Sequence, residues 1–136
     1  MLQQDELESL TRYLGRLFNT TEIAVLQHPE VDDQALVAKG QEFFARIERD
    51  EDEGELSYCF SKEIPDQPYD ELNEFVKVLF NAQNVEVRKR PNKNDSAEIY
   101  KGDEFLGVLY DDDGVEEGCQ IFNMAILDID LEDDEA

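Results

Sequence analysis

Lys39-Gly40-Gln41-Glu42-Phe43 is the stretch that decides the fold, because it recurs 62 positions later as Lys101-Gly102-Asp103-Glu104-Phe105. The same offset relates Leu17-Phe18-Asn19 to Leu79-Phe80-Asn81. It also relates single residues that are spread along both copies: Pro29 and Pro91, Phe60 and Phe122, Ile64 and Ile126. Two unrelated segments would share few identities at one fixed offset, so we interpret the chain as a duplicated module.

Each copy begins with a pattern that is typical of an amphipathic helix. Apolar residues recur at intervals of three and four, as on one helical face: Leu7, Leu10, Tyr13, Leu14, Leu17 and Phe18 in the first copy, and Tyr69, Leu72, Phe75, Val76, Leu79 and Phe80 in the second. Asn19 and Asn81 follow these segments. Because asparagine tolerates the left-handed conformation, both helices are predicted to end there.

The period then changes to two, which predicts strands. Ile23 and Val25, like Val85 and Val87, alternate with polar neighbours, and Gly40 and Gly102 mark tight turns. Further strands are predicted over 35–38, 42–48 and 56–60, and over 97–101, 104–110 and 118–127. The predicted fold is α+β, with two tandem modules that each contain one helix and a four-stranded antiparallel meander. The modules are predicted to span 1–66 and 67–131, with an acidic tail over 132–136.

The fourth strands of the two copies differ. In the first copy Leu56, Tyr58 and Phe60 alternate with polar or small residues. In the second copy both faces are apolar, with Phe122, Met124 and Ile126 on one side and Ile121, Ala125 and Leu127 on the other. One helix covers only one face of a sheet, so we expect the sister module to cover the second face in an intramolecular pseudo-dimer. A separate partner is the alternative.

The charge balance limits the classes of partner. The chain has 136 residues, of which 12 are basic and 35 are acidic, for a net charge of −23. Nucleic acid phosphates and anionic membranes repel such a chain, so a macromolecular partner is expected to be basic. Solubility, or adaptation to a salty cytoplasm, is the alternative explanation. The polar start of the chain and its lack of a long apolar run predict a cytoplasmic protein.

The acidic residues are clustered, and 16 of the 35 lie in two predicted turns and over residues 128–136. The turn residues are Asp50, Glu51, Asp52, Glu53 and Glu55 in the first copy, and Asp111, Asp112, Asp113, Glu116 and Glu117 in the second. Binding of calcium or magnesium is one interpretation, because these cations take carboxylate oxygens. The complete calcium-loop spacing is missing, so solvated acidic turns are predicted, without a specific metal site.

Catalysis finds little support in the sequence. His28 is the only histidine, and Cys59 and Cys119 have no basic neighbour that would lower a thiol pKa. No phosphate loop, nucleophile elbow or zinc spacing is present, so no catalytic residue and no cofactor are predicted. An enzyme of unrecognised type would require a cleft between the modules, lined by residues such as Tyr58 and Tyr110.

One basic cluster interrupts the acidic background. It contains Arg88, Lys89, Arg90 and Lys93, and the first copy has Leu26, Gln27 and His28 at the first three of these positions. The cluster is a candidate anion site. The alternative is that these side chains neutralise nearby carboxylates within the protein, which the overall negative charge favours.

Two segments of the second copy resemble a small family of bacterial proteins of unknown function, DUF3126. They run from Lys93-Asn94-Asp95-Ser96-Ala97 to Tyr110, and from Phe122-Asn123-Met124 to Leu131. The resemblance implies an alphaproteobacterial origin and single modules of about half this chain's length. The first copy matches this family-like sequence at only a few positions. The resemblance implies no activity and no catalytic residue.

These observations favour a non-enzymatic interaction module that binds a basic protein through its acidic turns. In its extreme form such a protein mimics nucleic acid and occupies a nucleic-acid-binding protein. A divalent-cation-binding protein is the alternative, and an unrecognised enzyme is the third hypothesis. Direct binding to nucleic acid or membranes is not expected, and the chain is predicted to be a monomeric pseudo-dimer or a homodimer.

Overall fold

The computed structural model describes residues 2–52, 54–65, 67–89, 96–110 and 119–127, which form two helices and eight strands. In the first half of the chain these are α1 (Gln4–Leu17), β1 (Ile23–Gln27), β2 (Gln34–Lys39), β3 (Glu42–Asp52) and β4 (Glu55–Pro65). In the second half they are α2 (Tyr69–Leu79), β5 (Val85–Lys89), β6 (Ser96–Lys101), β7 (Glu104–Tyr110) and β8 (Cys119–Leu127). The predicted α+β class is confirmed.

The strands form an eight-stranded antiparallel sheet in the order β1-β2-β3-β4-β8-β7-β6-β5. Contacts divide the chain into two compact units, residues 1–60 with 125–136 and residues 61–124. We refer to these as the first and second units. The division falls within β4 and β8 and so differs from the sequence repeat; the module boundaries at 66 and 131 stay a prediction. Among the described residues, neither helix has the length and apolar character required to cross a membrane.

In the first unit, α1 packs its apolar face against the sheet. Leu10, Leu14 and Phe18 of this segment are almost completely buried. The Phe18 ring lies edge-on to Phe44 of β3, with 5.1 Å between centroids, and 5.8 Å from Phe60 of β4. Such aromatic contacts bury large apolar area and fix ring orientation, so this cluster forms the centre of the core.

The second unit repeats this arrangement with other side chains. Leu72 and Val76 of α2 are buried, and Phe80 follows the helix as Phe18 follows α1. The Phe80 ring lies edge-on to Phe122 of β8, with 6.0 Å between centroids. The predicted helical faces therefore pack into the two cores, except at Tyr69, which is 41% exposed.

Irregular backbone positions repeat at the same 62-residue offset. Asn19 and Asn81 both have a φ of 52°, which confirms the predicted left-handed ends of the helices. Between β2 and β3 the register shifts at Val37/Ala38, and between β6 and β7 it shifts at Ile99/Tyr100. A bulge adds one residue to a strand and turns the following side chains. The duplication therefore includes these irregular backbone positions as well as the regular helices and strands.

Two strands are longer than predicted. β3 continues beyond residue 48 to Asp52, and β4 continues beyond residue 60 to Pro65. The hairpin turn is short because Gly54, with a φ of 84°, allows the chain to reverse next to Glu55. Ile64, beyond the predicted end of this strand, is fully buried within β4. Acidic side chains on an exposed face did not stop either strand.

The fourth strands match the prediction on one face only. Tyr58 and Phe60 of β4 are buried, as are three alternate residues of β8: Phe122, Met124 and Ile126. The second face of β8 was expected to be buried by the sister module. Ala125 and Leu127 are instead exposed, Leu127 to 50%, so that expectation is wrong at these positions. Apolar side chains on a sheet surface need not be covered.

Candidate functional site

The first predicted acidic turn lies at the hairpin between β3 and β4. Asp50, Glu51 and Asp52 end β3, Glu55 begins β4, and Glu53 lies outside the described residues. The first three were predicted in a turn but belong to a strand. Asp50, Glu51 and Glu55 are exposed. Exposed carboxylates are ionised at neutral pH, so this hairpin, which we call the acidic hairpin, presents negative charge to solvent.

Arg49 neutralises part of this charge from within the same strand. Its Nη2 lies 3.1 Å from Oε2 of Glu51, and its Nε lies 2.8 Å from Oε2 of Glu6 in α1. One guanidinium cannot balance Asp50, Glu51 and Glu55 together, so the hairpin keeps an excess of negative charge.

The second predicted acidic turn cannot be placed in the same way. Its residues Asp111, Asp112, Asp113, Glu116 and Glu117 lie outside the described residues, as does the tail over 132–136. Within the described ranges, no group of three or more His, Cys, Asp or Glu side chains could hold a metal ion. The divalent-cation hypothesis therefore gains no candidate ligand set from this part of the chain.

A polar network that the sequence did not predict joins α1 to the sheet of the first unit. Oε2 of Glu6 accepts hydrogen bonds from Arg49 Nε at 2.8 Å and from the Tyr58 hydroxyl at 2.5 Å. Oε1 of Glu6 accepts a third from the backbone N–H of Gln3 at 2.9 Å. Tyr58 is 1% exposed, so its hydroxyl requires an internal partner.

The network lowers the pKa of Glu6. Burial alone would raise that pKa, but hydrogen bonds from Tyr58, the Gln3 N–H and Arg49, with the Arg49 charge, outweigh it. A carboxylate with three donors is an anchor for the helix and is a poor proton donor at neutral pH. Glu6 could have been suspected from its place three residues after Gln3, in the first helical turn.

The sequence of the second copy does not keep the residues of this network. At the positions equivalent to Glu6, Arg49 and Tyr58 it has Pro68, Asp111 and Gln120. Within the described residues, Oε1 of Gln120 is buried without a hydrogen-bond partner. The two modules have therefore diverged at this polar position while keeping the aromatic core.

The predicted basic cluster is only partly described, since Arg90 and Lys93 lie outside the described residues. Arg88 and Lys89 belong to β5. Nη2 of Arg88 lies 2.6 Å from Glu86 Oε1, and the guanidinium lies 4.0 Å from the Tyr100 ring centroid. The hydrogen bond to Glu86 raises the pKa of Arg88.

Lys89 also contacts an aromatic ring of its own unit. Its Nζ lies 4.8 Å from the ring centroid of Tyr69. Cations over aromatic faces are attracted to the negative ring quadrupole. The two described members of the cluster thus have internal partners, which fits the neutralisation alternative better than an open anion site.

The outermost strands, β1 and β5, are bonded by side chains of the helices. Thr11 Oγ1 accepts a hydrogen bond from the Val25 N–H at 3.0 Å, and Asn73 Oδ1 accepts one from the Val87 N–H at 2.8 Å. Thr11 and Asn73 are equivalent residues in the two copies. Each helix therefore satisfies a backbone donor at the middle of an edge strand, where another strand could otherwise pair.

His28 and Cys59 are two of the described residues that were considered for catalysis. Nδ1 of His28 accepts hydrogen bonds from the backbone N–H groups of Glu30 and Val31, both at 3.0 Å, so it stabilises a turn. Cys59 of β4 is half-buried.

Comparison with known proteins gives one family match. The family described as a protein of unknown function, DUF3126, matches twice, over residues 6–68 and 69–130. Searches for similar curated proteins and for similar solved structures give no match. The two matches together cover most of the chain and divide it near the midpoint.

Proposed function

The chain belongs to the DUF3126 family as a tandem repeat, and from this premise we propose that it is a non-enzymatic, cytoplasmic interaction protein with a basic protein partner. The observation that carries the proposal is the net charge of −23 together with the exposed Asp50, Glu51 and Glu55 of the acidic hairpin. Complementary charge steers association and suppresses partners of like charge. In this proposal the two four-stranded modules form an intramolecular pseudo-dimer that binds the partner.

The distribution of basic side chains supports the proposal. Arg49 is paired with Glu6 and Glu51, and Arg88 is paired with Glu86. These internal pairs use positive charge that would otherwise repel a basic partner. A partner that normally binds nucleic acid would meet clustered negative charge on this surface, so mimicry of nucleic acid is the stronger form of the proposal.

Affinity capture with matched charge variants tests the proposal. The test variant is Asp50→Asn/Glu51→Gln/Glu55→Gln. The control, Asp70→Asn/Glu71→Gln/Glu74→Gln, removes the same charge from exposed positions of α2. We expect the wild type and the control to retain a basic protein at about 0.05 M salt and to release it at about 0.5 M, because salt screens exposed charges.

The test variant is expected to lose most of the captured protein at low salt. Equal capture by the test and control variants would contradict a role for the acidic hairpin. Capture that is indifferent to salt, or of acidic proteins only, would contradict the electrostatic proposal as a whole.

A further inference from the structure

A small groove in the first unit lies along the seam between α1 and β1. It is lined by Gln4, Leu7, Glu8, Thr11, Arg12 and Val25, and its volume is about 260 Å³. Sites for small-molecule ligands usually measure about 300–1,000 Å³. The groove is therefore suited to a single side chain.

In the second unit, a side chain of the protein itself occupies the equivalent seam between α2 and β5. Tyr69, the first residue of α2, donates a hydrogen bond from its hydroxyl to the Val87 carbonyl at 2.6 Å. Asn73 accepts from the Val87 N–H, so both backbone groups of this edge residue are bonded by the helix. The equivalents of Tyr69 and Val87 in the first copy are Leu7 and Val25.

Within the part of the chain that the structure describes, Val25 has only one of these two bonds. The Val25 N–H donates to Thr11 Oγ1. The Thr11 hydroxyl in turn donates its hydrogen to the Leu7 carbonyl, at 2.8 Å, and not to the Val25 carbonyl. Leu7, which stands in place of Tyr69, has no hydroxyl that could donate to that carbonyl. The Val25 carbonyl therefore lacks the donor that Tyr69 provides to Val87.

The register of the hairpin shows that this carbonyl points to the open edge. In an antiparallel pair, hydrogen-bonded and non-bonded residue pairs alternate. The bonds from Gly40 N–H to the Glu22 carbonyl and from His28 N–H to the Gln34 carbonyl place the even-numbered residues of β1 against β2. Val25 consequently faces away from β2.

We propose that the groove binds a tyrosine side chain of the basic partner, with its hydroxyl donating to the Val25 carbonyl. This inference rests on the proposed function and adds a specific anchor to it. We favour a side chain over an added β-strand as the occupant of this edge. Pairing with another strand requires the Val25 N–H, and that group is already bonded to Thr11.

The charges around the seam indicate which type of residue lies next to the tyrosine in the partner. In the second unit the Lys89 ammonium lies 4.8 Å from the Tyr69 ring centroid. The first copy has the neutral Gln27 at this position, and its amide donates to the Val31 carbonyl at 3.0 Å. Position 27 therefore supplies no cation. Arg12 lines the groove together with Glu8, and Asp5 is exposed in the first turn of α1, so two carboxylates exceed the one guanidinium and favour a basic residue beside the tyrosine.

Exchange of the two equivalent side chains tests this site. Leu7→Tyr fills the groove with a side chain of the chain itself, and Tyr69→Leu opens the matching seam in the second unit. The probes are peptides with two lysines on each side of a central tyrosine or phenylalanine, and a third with two glutamates on each side of a tyrosine. Binding is measured by titration calorimetry at low salt.

For the wild type we expect the lysine–tyrosine peptide to bind about three- to tenfold more tightly than the lysine–phenylalanine peptide, the effect of one hydrogen bond. Leu7→Tyr should abolish this preference, and Tyr69→Leu should add a second equivalent of peptide. Circular dichroism verifies that both variants keep the helical signal of the wild type.

Two different failures can be distinguished. If both lysine peptides bind the wild type and Leu7→Tyr equally, the groove is not the site, while the basic-partner proposal stands. If the glutamate–tyrosine peptide binds as well as the lysine–tyrosine peptide and Leu7→Tyr blocks both, the groove is supported and the basic partner is contradicted. A wild-type dimer that Leu7→Tyr converts to a monomer would also overturn the inference, because a second copy would then occupy the groove.

Discussion

Glu6 is held by three hydrogen bonds to its carboxylate. It bonds to Arg49, Tyr58 and the Gln3 N–H, and thereby links the start of α1 to β3 and β4. Its side chain is only 15% exposed. Hydrogen bonds to a partly buried charge contribute more to stability than those between neutral groups. Stability near the start of the first module therefore depends on the charge of one carboxylate.

Replacement of Glu6 by glutamine should lower the free energy of unfolding at pH 7 by about 1.5–3 kcal/mol, the range for a hydrogen bond to a charged group. The pKa of Glu6 is lowered in the folded protein from an ordinary value of 4.5, so folding favours the ionised form. The contribution is fully present above that value and is lost as pH falls through the folded pKa. Urea titrations of wild type and Glu6→Gln between about pH 7 and pH 3 measure it.

Glu8→Gln is the control, since it removes an exposed carboxylate from the same helix. We expect the stability difference between wild type and Glu6→Gln to shrink towards acid pH, while Glu8→Gln changes little throughout. A Glu6→Gln deficit that stayed constant down to pH 3 would show that the charge of Glu6 does not matter.

At the scale of elements, the pairing of β7 with β8 depends on a glycine. Val108 lies opposite Asn123, and Gly107 precedes it in β7. A Cβ at Gly107 would lie 2.4 Å from the Asn123 carbonyl oxygen and 2.7 Å from Phe122 Cε1. The carbonyl is backbone and cannot rotate away, so the close approach of the strands requires a residue without a side chain.

Gly107→Ala is expected to lower the free energy of unfolding by about 2–3 kcal/mol, because overpacking against backbone displaces a strand. The reverse change at the equivalent position of the first copy, Ala45→Gly, is the comparison. It should cost about 1 kcal/mol, the ordinary effect of glycine within a strand. Thermal unfolding of both variants measures the difference, and Gly107→Ala with the wild-type melting temperature would contradict this β7–β8 register.

Much of the element structure followed from the sequence because periodicity and turn residues are local signals. The helices, their ends at Asn19 and Asn81 and the two glycine turns were predicted correctly. The ends of β3 and β4 were not, because cross-strand pairing extends over acidic residues that have no strand preference of their own. The expected burial of Ala125 and Leu127 was also wrong, since an apolar face does not by itself indicate what covers it.

The candidate site was less predictable than the fold. Sequence clusters identified the acidic hairpin and the basic residues, but not the partners of Arg88 and Lys89 within their own unit. The Glu6–Arg49–Tyr58 network joins residues 43 and 52 positions apart, so no local pattern records it. The groove beside Leu7 became recognisable only because the second copy has a tyrosine there.

At the scale of the whole molecule, charge is the property that most strongly restricts function. A net charge of −23 on 136 residues produces a negative field that repels polyanions and attracts cations. Duplication gives the chain two similar modules, and their differences at Leu7/Tyr69 and Leu26/Arg88 make the two edges chemically distinct. We therefore expect a partner to discriminate between the modules.

The most direct test of the central claim, that this acidic surface binds a basic protein, is the affinity for the purified partner over a series of salt concentrations. Between about 0.05 M and 0.5 M salt we expect the dissociation constant to rise at least about tenfold, because the Debye length falls from about 14 Å to about 4 Å. The Asp50→Asn/Glu51→Gln/Glu55→Gln variant should bind more weakly and show a shallower salt dependence. A dissociation constant that is unchanged by salt and by the variant would contradict the claim.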